Sequence, residues 1–105
     1  MASRTPGESG AVLSEFQIFE TAEFQKALAK LSVAQWPFIE KKFRAQVYPQ
    51  LRRQPYFGPN IKKLHDHSPE TWRFRVGRYR LFYLIDEDER VVYLLTLDDR
   101  KVAYR

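Results

Sequence analysis

The chain has 105 residues, with 18 basic and 13 acidic side chains and a net charge of +5, enough for one domain with one core. It has no cysteine, which excludes a disulfide framework, a thiolate nucleophile and a cysteine-based metal site. No apolar run approaches the roughly 18 residues of a membrane span, and the N-terminus lacks the apolar core of a signal peptide, so a cytoplasmic protein with no membrane partner is expected.

Residues 1–14 begin Gly/Ser/Pro-rich and without periodicity, and are read as a flexible tail outside the fold. The domain is assigned to residues 15–105. "FQIFE", residues 16–20, alternates as a short strand does. Thr21 then suits a helix N-cap, and Phe24, Leu28 and Leu31 make one helical stripe. A second helix is expected to begin near Pro37, to bury Phe38, Ile39, Phe43 and Val47, and to end at or near Pro49. Trp36 and Trp72 are both expected to join the core. Residues 52–70 read as loop, because Pro55, Gly58, Pro59 and Pro69 break any long element.

Three strand-like runs complete the chain: "TWRFRV", "YRLFYLID" and "RVVYLLTLD". Gly77-Arg78 between the first two suits a type II′ turn. "DEDE", residues 86–89, reads as a solvated turn between the second and third. The architecture expected is α+β, in the order β-α-α-β-β-β: an antiparallel sheet with an N-terminal helical hairpin packed on one face.

The hairpin turn sets a register. Val76 faces Tyr79, and outward from it Arg75 faces Arg80, Phe74 faces Leu81, Arg73 faces Phe82, and Trp72 faces Tyr83. Alternation then puts Trp72, Phe74, Val76, Tyr79, Leu81 and Tyr83 on a core face, and Arg73, Arg75 and Arg80 on the other. Arginines directly opposite each other destabilise a sheet by a few tenths to about 1 kcal/mol. An oxyanion held between them removes that cost. The alternative is a pair of arginines that lie along apolar neighbours and reach to water. If the acidic turn pairs Tyr83 with Tyr93, Arg80 faces Thr96, and Arg100 lies just beyond the same strand. Lys62 and Lys63 are candidates to extend the basic face. His65 and His67 flank Asp66; with no third ligand nearby, they are acid/base candidates or ordinary loop histidines, and no metal or cofactor is expected.

Residues 64–105 resemble the C-terminal half of RelE/ParE-superfamily toxins of type II toxin–antitoxin modules. The resemblance is carried by Trp72, Arg73, Arg75, Gly77, Tyr79-Arg80, Asp86, the 91–97 apolar run, Arg100 and Tyr104, with "PNIKKL" (59–64) before them. It implies a RelE-like fold and a cognate antitoxin. For a RelE-like member it implies a ribosome-dependent mRNA endonuclease that leaves a 2′,3′-cyclic phosphate. Arg80 and Arg100 would then stabilise the transition state, Arg73 and Arg75 would grip the RNA backbone, and Tyr104 would stack on a base or share a proton. The alternatives are a ParE-like DNA gyrase poison without nuclease chemistry, and an inactive toxin-like binding protein. Arginines stand here where the best-known RelE pattern has lysines, and an arginine cannot serve as a base. Tyr104, His65 and His67 are the remaining candidates for that role.

Overall fold

The computed structural model describes residues 15–31 and 34–99. The expected tail, Arg100 and Tyr104 lie outside these residues. β1 (Gln17–Glu20) leads into α1 (Ala22–Ala29). α2 follows over 36–53, then β2 (Ile61–Lys63), β3 (Trp72–Val76), β4 (Tyr79–Asp86) and β5 (Val91–Asp99). The sheet order is β1-β5-β4-β3-β2. The helices cover one face of this sheet, as the expected α+β architecture requires. Two details differ. β1 runs parallel to β5, which makes the sheet mixed. Ile61–Lys63, read as loop, forms a short edge strand against β3.

Thr21 caps α1 as its residue type predicts. Its Oγ1 accepts from the Phe24 N–H at 3.1 Å and donates to the Leu94 carbonyl at 2.6 Å. One hydroxyl therefore starts the helix and ties it to β5. Pro49 does not end α2. The helix passes from an α-helical stretch (Trp36–Lys42) through a π-helical one (Phe43–Val47) to a last α-helical stretch (Tyr48–Arg53). Pro49 has no N–H to give Ala45 and would crowd it in a regular helix. The wider turn, in which the Tyr48 N–H reaches back to the Phe43 carbonyl, absorbs that misfit. It also helps the core stripe. Ile39, Phe43, Val47 and Leu51 recur every four residues, overrunning a 3.6-residue turn by about 40° each time, yet all are buried. Phe38 and Trp36, expected inside, are 48% and 39% exposed because they fall off this stripe.

On the sheet, Phe74, Val76, Tyr79, Leu81, Tyr83, Val92, Leu94 and Leu97 are buried beneath Phe24, Ile39, Phe43, Val47 and Leu51. Leu94 and Leu97 both point inward although plain alternation would separate them. A register irregularity at Phe82/Tyr83, with Leu95 as the extra residue, resolves the conflict. Tyr83 therefore pairs with Leu94 and not Tyr93, and Arg80 pairs with Asp98 and not Thr96.

Two tyrosines link core to periphery. Tyr83, fully buried, donates from its hydroxyl to the Pro55 carbonyl at 2.8 Å. Tyr83→Phe leaves that carbonyl without its donor and is expected to lower stability by about 1–3 kcal/mol, measured by denaturant unfolding. Tyr48 donates to Glu20 at 2.5 Å, and burial, followed by the Glu20 carboxylate, pushes its phenol above the ordinary 10.0. Burial raises the Tyr83 phenol as well. A raised phenol contributes stability that is present below the unfolded value and lost as pH climbs beyond it. The melting temperature should therefore fall as pH rises past about 10, and Tyr48→Phe should make that fall shallower.

Candidate functional site

The hairpin register is the one the turn predicts: Trp72 faces Tyr83, Arg73 Phe82, Phe74 Leu81, Arg75 Arg80 and Val76 Tyr79. Gly77 has φ +62°, and Arg78 is not among the positive-φ residues. Positive φ at the first central position only is what a type II′ turn needs. Burial follows the register. Phe74, Val76, Tyr79, Leu81 and Tyr83 are buried, while Arg75 is exposed and Arg73 and Arg80 are half-buried.

Among the described residues no helix covers the side that carries the arginines, and the cross-strand pairs organise it into rows. One row runs Arg75, Arg80, Asp98; the next runs Lys62, Arg73, Phe82, Thr96. Directly paired residues hold their Cβ atoms about 4.5–5.5 Å apart, so four cations from three strands crowd one end of the open face. Arg80 also lies over the Phe82 ring, 5.9 Å from its centroid. The like-charge contact between Arg75 and Arg80 is present, but Asp98 on the far side of Arg80 offsets part of it. Sequence reasoning missed Asp98; the signal was the acidic pair Asp98-Asp99 directly before Arg100.

The other expected site residues are elsewhere. Arg78, the fourth arginine of the stretch, forms an ion pair with Asp99 at 2.6 Å. That bond holds its guanidinium above the usual arginine range. Lys63 pairs with Trp72 and so has the opposite parity to Lys62. It sits 2.9 Å from Glu70 and over the Trp72 ring, and does not join the basic rows. His65 and His67 are exposed, with His67 Nδ1 2.9 Å from the His65 carbonyl oxygen. Their loop returns to β3 at Thr71, four residues and about 13 Å from the Arg75 level. Arg73 is the nearer arginine, two residues from Thr71 along the chain. Among the described residues, no group of three His, Cys, Asp or Glu side chains could hold a metal ion, and no helix is long and apolar enough to cross a membrane.

Chemically, these rows can grip phosphates and oppose growing negative charge, because guanidinium forks are bidentate toward phosphate oxygens. The guanidinium groups offer no base.

A family profile described as the ParE toxin of the type II toxin–antitoxin system parDE matches residues 20–104. The chain belongs to this family of type II toxins, within the RelE/ParE superfamily. Solved structures agree on the fold. A chain of the RelBE2 toxin–antitoxin complex from Mycobacterium tuberculosis is 26% identical with TM-score 0.66, over 84% of this chain and 94% of that one. For the RelE–RelB complex from Pyrococcus horikoshii the values are 26%, 0.58, 82% and 96%. A mutant of Escherichia coli RelE in the free state shares the fold at 17% identity and TM-score 0.60, over 86% of this chain and 88% of that one. No curated protein matches the sequence.

Arg75→Gln removes one member of the like-charge pair. It should leave the melting temperature unchanged or slightly higher. It should also weaken binding to a short single-stranded RNA, with a salt-dependence slope shallower by about 0.7. Calorimetry and fluorescence anisotropy across a salt series read both effects; a clear loss of stability would make Arg75 a structural residue instead.

Proposed function

We propose that this toxin is a ribosome-dependent mRNA endonuclease. The observation that carries the reading is the uncovered row of Arg75 and Arg80 beside Arg73 and Lys62, a cluster whose mutual repulsion an RNA backbone relieves. Likeness to RelE-complex structures at 26% identity supports it.

In this mechanism the RNA's own 2′-hydroxyl attacks the adjacent phosphorus and the P–O5′ bond breaks. The products are a 2′,3′-cyclic phosphate and a 5′-hydroxyl. One proton leaves the attacking hydroxyl and one reaches the departing oxygen. Arg80 stabilises the charge that grows on the phosphorane oxygens, while Arg73, Arg75 and Lys62 hold the flanking phosphates. Arg100 joins Arg80 in that task, and Tyr104 handles a proton or stacks a base; both roles rest on the resemblance. His65 and His67 remain acid/base candidates from the sequence. A cognate antitoxin neutralises the toxin, as the complexes of the similar structures support. Action on ribosomes puts the protein in the cytoplasm.

The ParE family match favours a second reading, a gyrase poison in which the same cations bind an acidic protein surface and no bond is broken. Primer extension on cellular mRNA after induction separates the two: codon-phased cuts support the nuclease, and gyrase-linked DNA breaks support the poison. For the nuclease, Arg80→Ala should slow single-turnover cleavage on programmed ribosomes on the order of a hundred- to a thousand-fold, with ribosome affinity little changed. A rate within a few-fold of wild type removes Arg80 from the chemistry.

A further inference from the structure

Phe57 is 74% exposed, well beyond Phe19 at 53% or Phe38 at 48%. On a loose loop this would mean little, but the backbone beneath Phe57 is fixed. Gln54 Oε1 accepts from the N–H groups of both Tyr56 and Phe57, each at 2.9 Å. The Phe57 carbonyl accepts from Gln50 Nε2 at 2.9 Å and from Gln54 Nε2 at 2.6 Å. Pro55 is buried, and its carbonyl takes the Tyr83 hydroxyl. The Tyr56 ring packs edge-on against Phe16 and Trp72. Two glutamines from the last turns of α2 and one core tyrosine therefore hold a loop whose ring stays in water. An anchor ordered before binding avoids the entropy cost of being ordered by its partner.

The chain around this ring is cationic throughout. Residues 50–63 contain Arg52, Arg53, Lys62 and Lys63 and no acidic residue, and all four are exposed. The loop also runs directly into the phosphate rows. Asn60 accepts the Arg75 N–H at 2.9 Å, and Lys62 stands opposite Arg73. An exposed ring on a cationic segment of chain, joined through Asn60 and Lys62 to the arginine rows, meets the two demands of single-stranded nucleic acid: a surface for a base and charge for the backbone. An apolar pocket on a protein partner would also cover the ring, but it has no need of a cationic flanking chain.

We propose that the 54–60 loop is a second RNA contact, in which Phe57 stacks an unpaired base while Arg53 and Lys62 hold its phosphates. The inference rests on the RNA-directed reading above and extends its footprint to the β2 edge of the sheet.

The test measures binding to a labelled 12-nucleotide oligoadenylate by anisotropy, to 70S ribosomes by sedimentation and to DNA gyrase by pull-down, with melting temperatures recorded for each variant. Phe57→Ala should weaken both about five- to hundred-fold with an unchanged salt slope and melting temperature. Phe57→Trp should retain binding. Arg53→Gln should instead make the salt slope shallower, and Gln54→Ala should weaken binding by loosening the loop. If wild type binds RNA and Phe57→Ala matches it within about two-fold, the loop is no RNA contact and the proposal fails, while the RNA reading stands. Loss confined to gyrase binding, with RNA binding intact, assigns the ring to a protein and overturns it. If wild type binds neither the oligonucleotide nor ribosomes, the RNA reading falls and this inference falls with it.

Discussion

The alternation of β4 is the constraint on which the rest of the molecule depends. The strand is hydrogen-bonded on both sides, to β3 and β5. Its inward residues Tyr79, Leu81 and Tyr83 are at most 2% exposed. Its outward residues include Arg80 and Phe82. A slip of one residue would exchange these sets and drive a guanidinium into an apolar interior, where an uncompensated charge costs several kcal/mol. The packing that stabilises the core thus also aims Arg80, and the two helices need only seal the inward face and leave the other open.

Charge on the open face is offset only in part. The acidic end of β5 divides its two carboxylates. Asp99 engages Arg78 at the hairpin turn, in an exposed pair of the kind that contributes little stability. Asp98 stands across from Arg80, so Arg80 has a like charge on one side and an opposite charge on the other. That arrangement lowers the cost of the crowded guanidinium pair in the absence of ligand. The arginines of these rows cannot move a proton; the groups beside them that can are the Asp98 carboxylate and the Lys62 amine.

Neither the fold nor a basic face identifies a target by itself. The family profile names ParE, while RelE complexes are among the similar structures. What differs between the two chemistries is whether a growing charge on phosphorus must be met at one point. The pairing of Arg75 with Arg80 on one row is the observation on which the proposed nuclease reading rests.

The sequence by itself determined the β3–β4 hairpin, its register, the division of its residues between core and open face, and the Thr21 cap. These depend on partners a few residues apart: a two-residue turn dictates every pair outward from it, and a cap needs only the next helical turn. Tertiary structure decided the rest. Leu94 and Leu97 both had to reach one core, which inserted the irregularity and moved Arg80 from Thr96 to Asp98. Ile61–Lys63 is too short to signal a strand alone and became one because β3 offered an edge, which separated Lys62 from Lys63. Pro49 reads as a stop, yet the helix continues through a wider turn that keeps Val47 and Leu51 buried. Phe57 looks like an ordinary loop residue until Gln50, Gln54 and Tyr83 are seen to fix its backbone. In each case the deciding interaction joins residues whose proximity no local period encodes.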